Sequence, residues 1–191
     1  LIPDASANLI WAMQAFQING QKVFTALNHS PMGYSMPATI GAYLADKSKN
    51  IIGTIGEGSM QMNIQELATI AHFNFPIKIF VINNGGYGLI KQTQDMWLGS
   101  RRVGVDESSG LAMPNLQKIA RAYKIDTVEI NNHNELDEKL DHVLNSKKPI
   151  LCEVKVSEKQ KVIPKLEFGR HIHDLSTRLE KNELKTNMII D

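Results

Sequence analysis

Cysteine is almost absent from this sequence: Cys152 is the only one among 191 residues. A disulfide framework and a thiolate metal cluster are thereby excluded. Cys152 lies in the apolar stretch Pro149-Ile150-Leu151-Cys152-Glu153-Val154 and reads as a small buried hydrophobe on a strand. No sign of charge dominates either, since 21 Lys and Arg stand against 20 Asp and Glu, which removes the electrostatic case for nucleic acid or an anionic membrane as partner. The one local excess, Lys155, Lys159, Lys161, Lys165 and Arg170 against Glu158 and Glu167, carries no nucleic-acid motif and reads as a polar tail. Long apolar runs, signal-peptide patterning, internal repeats and low-complexity stretches are missing too, so the expected setting is a reducing cytoplasm. The sequence starts at Leu1 without an initiator Met, and a piece of a longer protein is expected.

What is present is an alternation of short apolar runs with helical spacing. Strands are expected at Lys22–Leu27, Ile51–Ile55, Ile77–Ile82, Asp126–Ile130 and Pro149–Val156. Helices are expected at Ser35–Ala45, Met60–Asn74, Leu89–Leu98, from Leu116 through Tyr123, and at Asn134–Asn145, with a long loop over Gly99–Pro114. Strands that alternate with helices predict an α/β fold, a parallel sheet with helices on both faces. Residues 1–160 read as one domain and 161–191 as a partly helical tail.

The densest signal is Gly56-Glu57-Gly58-Ser59, placed between an apolar run and a helix whose following strand ends in Asn83-Asn84. The tetrapeptide reads as a tight turn. In a parallel sheet, ligands bind beyond the carboxyl ends of the strands, which would bring Glu57 beside Asn84. A hard cation such as Mg²⁺ takes oxygen ligands from one or two protein groups together with phosphates and water. Glu57, Asn84 and a backbone carbonyl in Gly85-Gly86 supply such oxygens, and the helix after Ser59 would turn unpaired N–H groups toward a diphosphate. The Gly-Lys-Ser/Thr of a P-loop does not occur, and the third glycine of a dinucleotide fingerprint is missing after Gly58.

These residues resemble the thiamine diphosphate-binding motif of thiamine-dependent enzymes, which runs from a Gly-Asp-Gly to a pair of Asn. The longer stretches Pro31-Met32-Gly33-Tyr34-Ser35-Met36-Pro37-Ala38, Met62-Asn63-Ile64-Gln65-Glu66-Leu67 and Asn83-Asn84-Gly85-Gly86-Tyr87-Gly88 are similar to the carboxy-terminal cofactor domain of acetolactate synthase-like enzymes. The resemblance covers about Asp4 to Ile130. It implies a thiamine diphosphate-binding fold, with Glu57, Asn84 and the Gly86 carbonyl as Mg²⁺ ligands. It also implies Ser30, Met32, Gly56, Gly58, Ser59, Asn84, Gly86 and Tyr87 around the cofactor, Met32 as the wedge that holds thiamine bent, and Asn8 near the diphosphate. Glu57 stands where the family has Asp, one methylene longer, so its carboxylate must reach the metal from a retracted backbone.

The resemblance further implies a 2-oxo acid substrate and decarboxylation followed by addition to a second carbonyl. It implies a homodimer or tetramer, with exposed apolar surface and self-association expected of this domain. The activating glutamate belongs to a separate pyrimidine-binding domain absent here, as is the central domain, so no catalytic residue is expected in this chain and turnover alone is not expected. FAD accompanies some relatives, and nothing in these residues decides for or against it. Two other readings stay open beside this one: a thiamine-dependent 2-oxo acid decarboxylase, and a non-catalytic assembly domain whose metal site has decayed at Glu57. His29, in the turn beside Ser30, is the most suggestive histidine, whereas His171-x-His173 reads as surface. Trp11 and Trp97 read as core or interface.

Overall fold

The computed structural model describes residues 1–176 and 179–188. The chain divides into two compact units, Leu1–Gln160 and Lys161–Asp191. The first unit carries β1 (Ile2–Pro3), α1 (Ser6–Ala15), α2 (Ser35–Ala45), β2 (Ile52–Gly56), α3 (Glu57–Met60), α4 (Glu66–His72) and β3 (Lys78–Asn83). It continues with α5 (Gly88–Trp97), α6 (Leu116–Ala122), β4 (Asp126–Ile130), α7 (Leu136–Asn145) and β5 (Ile150–Lys155). All five strands are parallel, in the order β1-β2-β3-β5-β4.

Successive side chains of a strand point to opposite faces, and the strand residues divide accordingly. Ile79, Val81 and Leu151 join Leu67 and Ile70 of α4, Leu116 and Ala120 of α6 and Met36 of α2. Phe80, Ile150 and Cys152 join Val143 of α7, with Leu136 and Leu140 packed against them. The sheet is therefore covered on both faces, as expected for near-continuous apolar strands.

Three expectations are corrected. Lys22–Leu27 is not a strand; the sheet edge belongs to β1, which this segment flanks through Leu1 N to Lys22 O at 2.8 Å, Phe24 N to Leu1 O at 3.3 Å and Thr25 Oγ1 to Asp4 O at 3.3 Å. Pro3 has no N–H to extend that ladder. The helix expected over Met60–Asn74 is broken into α3, a 3₁₀ turn at Gln61–Asn63 and α4. It also begins at Glu57, so Gly56-Glu57-Gly58-Ser59 forms a first helical turn rather than a tight reverse turn. Helix α1 was not expected at all. In the second unit, Lys165 and Ser176 form an antiparallel bridge and Lys181–Asn187 a helix, α8.

Candidate functional site

Parallel pairing of β2 with β3 aligns Gly56 with Ile82, so both strands end at the same height. Glu57, the first residue of α3, thus meets the Asn84–Gly86 turn although 27 residues separate it from Asn84. Its Oε1 accepts the Asn84 N–H at 3.2 Å and the Gly86 N–H at 2.6 Å. Two glycines with positive φ, Gly85 at 79° and Gly86 at 148°, let the turn fold inward.

The Asn84 side chain closes the group. With its amide nitrogen inward it donates to Glu57 Oε1 at 3.2 Å and to Gly86 O at 2.9 Å. With its oxygen inward, three oxygens converge, an arrangement that a cation between them would stabilise. A carboxylate, an amide oxygen and a peptide carbonyl are hard donors, and they fit Mg²⁺ completed by phosphate and water. Among the described residues no group of three or more His, Cys, Asp or Glu could hold a metal instead. Glu57 is 2% exposed and has no ion-pair partner among the described residues. Burial pushes its carboxyl above the ordinary value, against which the Gly86, Asn84 and Gly85 amides act.

A cavity of about 530 Å³ opens beside this cluster. Ser30, Met32, Gly56, Glu57, Gly58, Ser59, Asn84, Gly86 and Tyr87 all line it, together with Asn8. The Tyr87 ring packs against Gly58, where a Cβ would overlap its Cε1. The Ser59 hydroxyl is turned to Asp4. His29 is exposed and outside the cavity lining, and His171 and His173 are exposed with their rings stacked 5.4 Å apart.

Sequence reasoning missed several residues that shape the cavity. Ser6 and Ala7 begin the ten-residue α1 at its wall, so this helix terminus joins that of the short α3 in lining the cavity. Asn8, which the resemblance already places near the diphosphate, fixes that terminus by donating from Nδ2 to Thr54 O at 2.8 Å. Asp4, 1% exposed, accepts the N–H groups of Gly33 at 3.0 Å and Ser35 at 2.8 Å, and so sets the Met32 turn. Burial raises its carboxyl, opposed by those same amides. Trp11, Leu89 and Ile90 provide the apolar side. A wider polar cleft of about 1340 Å³ lies over the ends of β3, β5 and β4 and shares none of the metal donors.

Residues 4–154 match the family described as thiamine pyrophosphate enzyme, C-terminal TPP binding domain. The chain belongs to this family. Among curated proteins it is 32% identical to the acetolactate synthase large subunit of Porphyra purpurea over 87% of this chain and 28% of that protein. The acetolactate synthase large subunit of Lactococcus lactis is 32% identical over 92% of this chain and 30% of its own length. The isozyme 1 large subunit of Escherichia coli is 30% identical over 87% and 29%. The chain thus spans under a third of the curated relatives it matches and is a TPP-binding domain of the acetolactate synthase-like kind.

Proposed function

We propose that this chain anchors thiamine diphosphate through Mg²⁺ as the cofactor domain of an acetolactate synthase-like enzyme acting on a 2-oxo acid in the cytoplasm. The observation that carries the reading is the convergence of Glu57, Asn84 and the Gly86 carbonyl beside a cavity lined by every residue expected around the cofactor. When bound, the cofactor supplies the electron sink for decarboxylation and carbon–carbon bond formation. The chain's own residues would bind and orient it. Glu57 and Asn84 would hold the cation whose charge offsets the diphosphate, and Met32, on a turn fixed by Asp4, would contact the rings. A separate pyrimidine-binding domain supplies the activating glutamate, and the exposed Met32 and Ile90 on the cavity lining are the surface it would cover. A dimer or tetramer is the assembly this implies, so sedimentation of the chain at high concentration should show self-association, and a strictly monomeric profile would count against that assembly.

Calorimetric titration with thiamine diphosphate tests the reading. Binding should require Mg²⁺ and vanish in Glu57→Ala and in Asn84→Ala. Binding of equal strength without metal would refute the anchoring role. A non-catalytic domain is the second reading, favoured by the Glu57 oxygen already held by two backbone amides. It predicts no binding even at millimolar cofactor in the full-length enzyme.

A further inference from the structure

The loop between α5 and α6 has little regular structure beyond a 3₁₀ turn at Glu107–Ser109, yet two of its residues, Val105 and Asp106, are buried at 1% and 6% exposure. The Val105 carbonyl accepts the Tyr87 N–H at 2.9 Å. It also occupies the place where a Cβ on Gly86 would project. Gly86 can therefore adopt its φ of 148° with Val105 packed directly on its backbone.

Asp106 is held from its own side by the Ser108 hydroxyl at 2.7 Å and the Ser109 N–H at 3.1 Å. Its other oxygen faces Lys91 Nζ at 3.2 Å, with the two side chains 13% and 9% exposed. Lys91 stands in the first turn of α5, where its N–H donates to the Tyr87 carbonyl at 2.8 Å. The contacts form a closed ring: Gly86-Tyr87, α5, Lys91, Asp106, Val105, and back to Tyr87. Arg102 approaches Asp106 at 3.5 Å but is already engaged bidentately by Asp95. Glu158 approaches Lys91 at 3.6 Å from an exposed position. Neither Lys91 nor Asp106 lines the 530 Å³ cavity.

We propose that the Lys91–Asp106 pair is a positioning latch that presses the Val105 carbonyl onto Gly86-Tyr87 and so keeps the Gly86 carbonyl aimed into the donor set with Glu57 and Asn84. The latch rests on the metal-anchoring reading above. Groups that orient metal ligands typically change metal affinity by about 10–100-fold when removed. Mg²⁺ demands a near-ideal octahedron, whereas Ca²⁺ accepts looser and longer coordination. A misdirected carbonyl therefore weakens the two ions unequally.

The test is cofactor titration of the full chain against Mg²⁺ and, separately, Ca²⁺, in wild type, Asp106→Asn, Lys91→Met and Lys91→Arg, with folding checked by circular dichroism. Asp106→Asn and Lys91→Met should raise the Mg²⁺ concentration for half-maximal cofactor binding about 10-fold and that for Ca²⁺ less than about 3-fold, with Lys91→Arg recovering most of the loss. Hydrogen exchange at the Tyr87 amide should accelerate in the same two variants without any metal. Equal shifts for both ions, or Tyr87 exchange that does not move, would overturn the latch while leaving wild-type metal dependence intact. Metal-independent binding by wild type would instead bring down the anchoring reading, and the latch with it.

Discussion

Glu57→Gln separates what the carboxylate costs the fold from what it does for a cation. Glu57 is 2% exposed and has backbone amides, not cations, around it. Taking a carboxylate out of water costs several kcal/mol in real proteins, and hydrogen bonds to a charged group return about 1.5–3 kcal/mol each. The raised carboxyl says that burial outweighs those amides, so the charged form is disfavoured in the fold. A carboxamide keeps an acceptor for the Gly86 and Asn84 amides without the buried charge. Free of metal near pH 7, Glu57→Gln should thus be more stable than wild type, with each ~1 kcal/mol of gain raising Tm by roughly 2–4 °C for a chain of this size.

The pH dependence has a fixed sign. A carboxyl raised in the folded state binds its proton more tightly there than in the unfolded chain. The stability that goes with this is complete below the ordinary value of 4.5 and is lost as pH rises through the elevated one. The two proteins should converge near pH 4 and separate toward pH 7, since every other group titrates alike in both. Thermal unfolding at both pH values, with and without Mg²⁺ and thiamine diphosphate, is the assay. Ligand at about 100 times its Kd stabilises wild type by about 2.7 kcal/mol, and Glu57→Gln should gain far less. If Glu57→Gln is less stable than wild type without metal at pH 7, Glu57 is a structural tie for the Asn84–Gly86 turn and the reasoning fails.

Gly58→Ala would drive a Cβ into the Tyr87 ring and should destabilise the chain by about 1–3 kcal/mol in urea unfolding, with Tyr87→Ala restoring a good part of the loss in a double-mutant cycle. Lys78, 2% exposed, donates from Nζ to the carbonyls of Pro76, Ser146 and Lys148 at 2.8, 2.8 and 3.1 Å, so Lys78→Met should lower unfolding stability by about 1–3 kcal/mol without moving cofactor affinity. Burial pushes the Cys152 thiol up to about 12. A thiol reagent at mildly alkaline pH should label it only through unfolding, and rapid labelling of the native chain would contradict its place in the core.

The sheet was legible because its signal is local. Runs such as Ile77–Ile82 are apolar except for Lys78 and bounded by Pro76 and Asn83, which is close to what a strand buried on both faces requires. Helix α2 begins and ends where its small-residue run does. The pairing of Glu57 with Asn84 followed from parallel register alone. Lys22–Leu27 misled because Val23, Phe24 and Thr25 have strand propensity, while the competing edge is fixed by Pro3 some twenty residues away. Gly56–Ser59 read as a turn because glycine spacing says nothing about the Tyr87 ring that packs against Gly58 and suits a helical backbone. Asp4, Val105 and Asp106 were out of reach for the same kind of reason: an edge strand and an irregular loop have no periodicity, and their roles exist only as contacts.

The cavity has both polar and apolar lining, and on the proposed function that contrast would decide how a long, half-charged ligand lies in it. At the strand ends stand the Glu57–Asn84–Gly86 oxygens and the first residues of α1 and α3, where, on the proposed function, a cation and a diphosphate would neutralise one another. Trp11, Met32, Leu89 and Ile90 line the cavity with apolar surface, and Met32 and Ile90 are 37% and 49% exposed. Reversing the ligand would bury phosphate charge against apolar side chains and leave Glu57 uncompensated, a double penalty of several kcal/mol. On that reading the polar groups would fix the orientation, and the exposed Met32 and Ile90 would add to affinity once another surface covered them. Asp4 ties α3 to the Met32 turn, because the same carboxylate that takes the Ser59 hydroxyl also holds the Gly33 and Ser35 amides flanking that turn. A change at Ser59 would therefore reach the Met32 turn through one buried residue.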